Sequence, residues 1–194
     1  MTRYVDVPPE RWHGVTEELI ADHPLKVAYL AGVVVGAWDM ILETKIAGRF
    51  AIARDVKPKP QIMGFFLHEV IAFLVATDYP TEWRKEVGSA DKDLVYIPDP
   101  RYSIEIKTSS NNTSIFGNRS YAQATQSEKK DKSGYYLAVN FDKFNDSDKT
   151  PKIRLVRFGW IDHGDWIGQA AASGQQARLP RNVETGKLLT IYNS

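Results

Sequence analysis

The stretch "DKDLVYIPDPRYSIEIKTSSN", residues 91–111, holds two short segments that alternate in polarity on either side of a Pro-Asp-Pro turn. Such alternation around a turn signal predicts an antiparallel β-hairpin. The hairpin decides the fold and the candidate site together, because one of its faces carries two carboxylates and an amine. The residues of one parity are Leu94, Tyr96, Ile104 and Ile106, and those of the other are Asp93, Val95, Glu105 and Lys107.

A turn centred on Asp99 places Asp93 opposite Glu105, with Lys107 two residues further along the same face. Directly opposed side chains of an antiparallel pair lie about 5 Å apart at Cβ, and opposed like charges are destabilising. A divalent cation between the carboxylates reverses this effect, and Mg²⁺ is typically held by one or two carboxylates with water and phosphate oxygens. The spacing therefore predicts a Mg²⁺ site at Asp93 and Glu105. A shift of one residue in the register would put Asp93 on the other face.

Lys107 suits the same chemistry. An ammonium group beside a metal-bound water can orient or deprotonate the nucleophile, and it can offset charge on an attacked phosphate. Two acids, a metal ion and a lysine are sufficient for phosphodiester hydrolysis. The alternative interpretation is that Glu-Ile-Lys is only the solvent face of a strand.

Length and composition are those of a soluble globular protein: 194 residues, 43% hydrophobic and 11% aromatic, with a net charge of +1. The chain has no cysteine, which excludes disulfides and thiolate zinc sites and suits a reducing cytoplasm. The N-terminus does not resemble a signal peptide. The longest apolar stretch, residues 27–38, is too short to span a bilayer, so no membrane partner is expected.

Hydrophobic periodicity and turn residues predict an α/β protein in which helices flank a mixed sheet. We expect one domain over 1–194, with a helical N-terminal portion at 1–58, a core at 60–141, and a C-terminal strand and tail at 152–194. A further helix is expected from about Tyr121, and the tail at 165–179 is expected to begin as helix and break at Gly174. The other predicted helices lie within 8–24, 25–48 and 61–80, and the strands within 83–87, 93–97, 103–109, 135–141 and 152–161.

Residues 92–110, "KDLVYIPDPRYSIEIKTSS", resemble the PD-(D/E)XK nuclease motif as type II restriction endonucleases carry it. Glu105 and Lys107 match its Glu-x-Lys element, and Asp93 matches its first acid, although Lys92 stands where the family has proline. The literal Pro-Asp at Pro98-Asp99 is rejected, because Asp99 lies at the hairpin tip, about 20 Å from Glu105. Asp91, two residues from Asp93, is the better rival.

The order of elements in residues 60–141 also resembles this family, whose core is a helix, three antiparallel strands, a helix and a further strand. The resemblance implies a restriction-endonuclease-like fold and Mg²⁺-dependent cleavage of double-stranded DNA at a short palindrome. The family often adds an acid from the preceding helix, for which Glu69 is the candidate and Glu43 a weaker one. "IFGNRSYAQ" and "SGQQARL" resemble the ScaI-type branch, over most of the chain.

Polar residues after the catalytic strand are suited to reading base edges, because Asn and Gln can bind adenine, and Arg guanine, through two hydrogen bonds. A polar loop followed by a helix cap at Ser120 would explain the same composition. Gln175, Gln176 and Arg178 form a second polar cluster, suited to DNA or to a subunit interface. Lys129, Lys130 and Lys132 could contact phosphates. The predicted base-contacting residues are Asn111, Asn112, Asn118, Arg119 and Gln123.

We also expect a homodimer, because one active centre per chain cannot attack both antiparallel strands in one binding event, whereas a two-fold pair matches a palindrome. Residues 27–38 and 167–179 are the expected contact surfaces, although either can be buried within the subunit. Two alternatives remain: a structure-specific repair or junction-resolving nuclease of the same fold, and a non-catalytic DNA-binding module.

Overall fold

The computed structural model describes residues 3–123, 132–144, 150–171 and 174–194. Its α-helices are α1 (Trp12–Ala21), α2 (Val27–Glu43), α3 (Pro60–Asp78) and α4 (Arg181–Gly186). Its strands are β1 (Lys45–Ile46), β2 (Phe50–Ala51), β3 (Trp83–Lys85), β4 (Leu94–Tyr96), β5 (Ile104–Ser109), β6 (Phe116–Asn118), β7 (Gly134–Phe141), β8 (Ile153–Ile161), β9 (Ile167–Gly168), β10 (Gln176–Arg178) and β11 (Leu189–Asn193).

A six-stranded mixed sheet in the order β11-β8-β7-β5-β4-β3 forms the centre. β5 pairs with β7 in parallel, and the other neighbours are antiparallel. All eight residues of β7 are buried, as expected for a central strand that is covered on both faces. The predicted α/β fold, with helices flanking a mixed sheet, is confirmed, and so is the antiparallel unit formed by β3, β4 and β5.

The two faces of the sheet contribute to separate hydrophobic clusters. Ile104, Ile106 and Leu137 belong to the cluster that the N-terminal helices cover, whereas Tyr136 and Ala138 belong to a smaller cluster with Tyr121 and Trp166. Alternation along β5 therefore directs its apolar residues toward the helices. Glu105 and Lys107, which have the other parity, are directed to the opposite face.

The two longest helices pack on the same side of the sheet, and each buries one face. α2 buries Leu30, Val34 and Trp38 among others, so the apolar run of residues 27–38 is largely used within the chain's own core. α3 is long and apolar enough to cross a membrane by length and composition. Its buried face nevertheless packs against β3 and β5, in the interior of this fold.

The register of the decisive hairpin is the predicted one, because Leu94 lies opposite Ile104. The next residue outward on each strand is then Asp93 on one side and Glu105 on the other. Asp99 lies at the tip and is the N-cap of a 3-10 helix, Pro100–Tyr102. Its carboxylate accepts a hydrogen bond from the Arg101 backbone N–H at 3.0 Å. Because Leu94 and Ile104 are both fully buried, a shifted register would expose them.

The predicted helix in the tail is wrong. Residues 167–168 form β9 and residues 176–178 form β10, which pairs between β6 and β9 in a second, three-stranded sheet. Pairing with β6 overrides the helical propensity of the alanine-rich segment. The expected helix near Tyr121 is a 3-10 helix at Arg119–Ala122, and residues 124–131 lie outside the described residues. α4 and β11 follow the second sheet and were not predicted.

The C-terminal segment packs closely on the central sheet at Gly159 of β8. A Cβ added at Gly159 would lie 2.1 Å from the backbone oxygen of Lys187, with nothing flexible to move aside. We predict that Gly159→Ala lowers the free energy of unfolding by about 1–3 kcal/mol in urea titrations. The control is Gly32→Ala in an exposed turn of α2, which meets nothing within 4 Å and should stabilise by about 0.5–1 kcal/mol. Equal stability of Gly159→Ala and the wild type would contradict this packing.

Candidate active site

Asp93 and Glu105 are buried carboxylates, 9% and 7% exposed, on adjacent strand segments of the same face. Asp93 uses both of its oxygens. Oδ2 accepts a hydrogen bond from the Ile106 backbone N–H at 2.5 Å, and Oδ1 lies 3.0 Å from Nε2 of His68 on α3. The side chain is therefore held from the neighbouring strand and from the helix at the same time.

Glu105 is surrounded by cationic and hydroxyl donors. Its Oε1 accepts hydrogen bonds from Lys107 Nζ at 2.7 Å and from the Tyr121 hydroxyl. Its Oε2 lies 3.7 Å from Lys92 Nζ. The ammonium group of Lys107 also lies 4.8 Å from the centre of the Tyr121 ring, and that of Lys132 lies 4.9 Å from it. The predicted site thus includes more positive charge than Lys107 alone.

The electrostatics favour an ionised Glu105. Burial raises the pKa of Glu105, but the charges of Lys107 and Lys92 outweigh burial and lower that pKa to about 2. The hydrogen bond to Asp93 raises the pKa of His68 above its usual value, against the effect of burial. Burial lowers the pKa of Lys92, while the charge of Glu105 opposes that shift. The neighbouring cations therefore offset the repulsion between two buried acids.

The candidate helix acid Glu69 is connected to Asp93 through His68. Its Oε2 accepts a hydrogen bond from Lys85 Nζ, and its Oε1 lies 3.4 Å from Nδ1 of His68. His68 thereby bridges Glu69 and Asp93. The weaker candidate, Glu43, is exposed at the end of α2. Of the two helix acids, Glu69 is the one that the structure connects to Asp93.

Asp91, the rival of Asp93, has a different environment. Its carboxylate forms an ion pair with Arg84, with the closest N–O distance at 2.8 Å, and accepts a hydrogen bond from the Val87 backbone N–H at 3.0 Å. The hydrogen bond with Arg84 lowers the pKa of Asp91 to about 2. These contacts close the loop between β3 and β4. Asp91 therefore has a structural use that Asp93 does not share.

The donor set at Asp93 and Glu105 fits a Mg²⁺ ion. Both donors are carboxylates, the hard oxygen ligands that Mg²⁺ prefers, and both lie on one face of the hairpin. Across the ranges that the structure describes, no group of three or more histidine or acidic side chains is placed to hold a metal. A Mg²⁺ ion at the two carboxylates would therefore complete its coordination with water and phosphate oxygens, as is usual for this ion.

Two of the predicted base-contacting residues use their side-chain oxygens within the chain. Asn111 Oδ1 accepts hydrogen bonds from the backbone N–H groups of Thr113 and Ser114, at 3.2 and 3.1 Å. Asn112 Oδ1 accepts a hydrogen bond from Arg154 Nη1 at 2.6 Å. Both residues are exposed, but these contacts order the loop that follows β5.

Others come together on the second sheet, because β6 pairs with β10. Asn118 lies directly opposite Gln176, so the two polar clusters of the sequence form one exposed surface. Arg119 donates a hydrogen bond from Nη1 to the Gly174 carbonyl at 2.8 Å and from its backbone N–H to the Gln175 carbonyl at 2.8 Å. Gln123 is exposed at the end of the 3-10 helix, whereas Lys129 and Lys130 lie outside the described residues.

Three residues at the site were not among the predicted catalytic set: His68, Tyr121 and Lys92. His68 precedes Glu69 in the sequence. It could have been predicted as a partner of Asp93 if basic residues of the helix had been considered beside acidic ones. The signal for Lys92 was that this lysine stands where the family motif has proline. Tyr121 gave no signal, because its contact with Glu105 depends on the fold of the segment after β5.

The mixed sheet, the antiparallel unit β3-β4-β5 and the acids at its centre define the α/β fold of restriction endonucleases. The chain belongs to the ScaI restriction endonuclease family, whose model matches residues 2–192. It is similar to the type II restriction enzyme ScaI of Streptomyces caespitosus, with 44% identity over 185 residues. This match covers 94% of the chain and 81% of the relative. The resemblance to the ScaI-type branch of restriction endonucleases is therefore confirmed.

The different contacts of Asp91 and Asp93 generate a direct test. We predict that Asp91→Asn loses about 1 kcal/mol of stability, since its ion pair with Arg84 is partly exposed, and still cleaves DNA. Asp93→Asn should fold and fail to cleave. Urea unfolding and digestion of plasmid DNA measure the two properties on the same preparations. Loss of cleavage in Asp91→Asn together with normal cleavage by Asp93→Asn would show that Asp91 is the catalytic acid.

Proposed function

We propose that this member of the ScaI family hydrolyses both strands of duplex DNA at a short palindromic sequence, using Mg²⁺ held by Asp93 and Glu105. The observation that carries the proposal is the opposed pair of buried carboxylates, with Lys107 on the same face. The absence of cysteine suits a cytoplasmic enzyme. Membership of a family of restriction endonucleases supports DNA as the substrate.

Each residue of the site has a distinct role in this proposal. Asp93 and Glu105 would hold the metal ion, and His68 and the Ile106 N–H keep Asp93 in position. When bound, Mg²⁺ supplies a Lewis acid that polarises the phosphate and a source of activated water. Lys107 is close enough to Glu105 to contact the same phosphate, where its charge offsets the negative charge that develops during attack. Glu69, through His68, is proposed as an assisting acid.

The central test removes each catalytic group separately. We predict that Asp93→Asn, Glu105→Gln and Lys107→Ala each reduce plasmid cleavage in Mg²⁺ by at least about 100-fold, because each removes a metal ligand or a stabilising charge. Circular dichroism would show that the three variants are folded. Glu10→Gln, an exposed acid outside the site, is the matched control and should cleave normally. Normal cleavage by Glu105→Gln would refute the proposed site.

We propose that the predicted residues read the DNA sequence mainly through the second sheet. Asn118 and Gln176 form a cross-strand pair on its exposed face, and the ribbon formed by the neighbouring strands β6 and β10 presents their amides, which suit adenine edges in the major groove. The same side borders a cavity of about 830 Å³ whose lining includes the exposed Arg178 and Arg181, which suit a phosphate backbone. Asn111 and Asn112 lie in the loop before β6, Arg119 begins the 3-10 helix after β6, and Gln123 ends it. In the proposal, Arg119 keeps the ribbon ordered through its contacts with the loop before β10.

Readout by the ribbon has a measurable signature. We predict that Asn118→Ala and Gln176→Ala each weaken binding to a fragment containing the cleavage site by about 1–3 kcal/mol, with a smaller loss on random DNA. Binding should be measured in Ca²⁺, which takes more ligands at longer distances than Mg²⁺ and should permit binding without turnover. Gln61→Ala, an exposed amide on α3, is the control. Equal losses on both DNAs would assign the residues to backbone contact.

We propose that the enzyme acts as a homodimer and that a second copy covers the exposed stripe of α3. Ile62, Phe65 and Phe73 are 48%, 59% and 61% exposed, and their spacing places them on one side of the helix. Three large apolar side chains on one side of a helix, with only Glu69 between Phe65 and Phe73, are unusual on a free surface. This stripe replaces residues 27–38 as the proposed contact, because Leu30, Val34 and Trp38 of that run are buried within the subunit. A two-fold pair of subunits would supply one active centre to each strand of a palindrome.

A charge in the stripe should separate the subunits. We predict that the wild-type protein sediments as a dimer and that Phe73→Glu sediments as a monomer, because a buried unpaired carboxylate is costly at an interface. With supercoiled plasmid, Phe73→Glu should accumulate nicked circles where the wild type gives linear DNA. Val5→Glu adds the same charge at another exposed apolar residue and serves as the control. A wild-type monomer, with and without DNA, would contradict the proposal.

A further inference from the structure

Lys92 occupies a position at the site that the minimal chemistry of two acids and one lysine does not require. Its ammonium group lies 3.7 Å from Glu105 Oε2 and 5.3 Å from the centre of the Tyr136 ring, and the side chain is 19% exposed. Lys107 contacts the other oxygen, Oε1, at 2.7 Å. Two ammonium groups therefore share one carboxylate, one on each oxygen.

The fold leaves space for this second ammonium group. A Cβ added at Gly134, the first residue of β7, would lie 3.1 Å from Lys92 Cε and 3.2 Å from its Nζ. Burying a charge costs free energy unless a partner compensates it. Glu105 already has Lys107 and Tyr121 as partners, so its own charge is compensated without Lys92. The stability of the fold alone therefore gives no reason for a buried lysine beside Glu105.

The proposed reaction suggests a role for Lys92 in holding Glu105. A DNA phosphate beside Glu105 would compete with this carboxylate for the ammonium group of Lys107. If Lys107 shifts toward the phosphate, Glu105 loses its shortest ion pair, and Oε1 keeps the Tyr121 hydroxyl as a neutral partner. Lys92 forms an ion pair with the other oxygen, Oε2, at 3.7 Å and can keep the carboxylate in place during that exchange.

We propose that Lys92 is a positioning residue of the cleavage reaction, which holds Glu105 through Oε2 while Lys107 engages the DNA phosphate. The inference rests on the proposed function, because it assumes that Glu105 and Lys107 act in phosphodiester hydrolysis. Lys92 itself contacts neither the substrate nor the attacking water in this account. Its effect is on the orientation of Glu105.

The test compares Lys92→Met, Lys92→Arg and Lys26→Met with the wild type. Lys26 is an exposed lysine before α2, on the helix-covered side of the sheet, so Lys26→Met controls for the loss of one positive charge. The probe is a supercoiled plasmid that the wild type linearises. Three quantities are measured. The first is the single-turnover rate of cleavage at saturating Mg²⁺, with enzyme in excess over plasmid. The others are the affinity for the plasmid in Ca²⁺ and the midpoint of urea unfolding.

We expect Lys92→Met to cleave about 10- to 100-fold more slowly, since a small misplacement of a catalytic group is enough for such a loss. Its affinity and unfolding midpoint should match those of Lys26→Met, and Lys92→Arg should recover most of the lost rate. A wild-type rate in Lys92→Met would overturn the proposal. So would parallel losses of rate, affinity and stability, or failure to fold, because Lys92 would then be a structural residue.

The same experiment separates this inference from the proposed function. Lys107→Ala is measured beside the Lys92 variants. An inactive Lys107→Ala together with a fully active Lys92→Met would refute only the positioning role. Absence of Mg²⁺-dependent cleavage by the wild type, or full activity of Lys107→Ala, would instead refute the proposed function.

Discussion

The antiparallel register of β4 and β5 is the constraint on which the rest of the site depends. Leu94 opposite Ile104 buries one side of the hairpin against the helices, and the neighbouring residues, Asp93 and Glu105, are consequently brought together on the other side. Because side chains alternate along a strand, a shift of one residue would expose the core and separate the acids in the same step. Folding and the assembly of the site are therefore enforced by the same hydrophobic contacts.

Two buried carboxylates in close proximity would destabilise a protein without compensation, and the surrounding elements provide it. The hairpin supplies Lys107, Lys92 and the Ile106 N–H, α3 supplies His68, and the segment after β6 supplies the Tyr121 hydroxyl. The charges of Lys107 and Lys92 lower the pKa of Glu105 to about 2 and so keep this acid charged. A site prepared in this way can accept a divalent cation without having to lose protons first.

The sequence predicted the hairpin, its register and the α/β class, because these depend on alternation and on turn residues that lie close together in the chain. Contacts between distant segments were harder to predict. In the tail, residues 176–178 form a strand because β10 pairs with β6, a distant contact that local propensity cannot reveal. The contact of His68 with Asp93 depends on the rotation of α3 over the sheet, and that of Tyr121 with Glu105 on the segment after β5. The assignments of catalytic and DNA-binding roles remain predictions.

The central claim is that Asp93, Glu105 and Lys107 form a nuclease site directed to one DNA sequence. Sequencing the ends of genomic DNA digested by the purified protein in Mg²⁺ tests it most directly, with Asp93→Asn protein digested in parallel to identify background breaks. We predict that every wild-type end derives from one short palindrome and that Asp93→Asn produces no such ends. Ends at unrelated sequences, ends only at branched or damaged DNA, or identical ends from both proteins would contradict the claim.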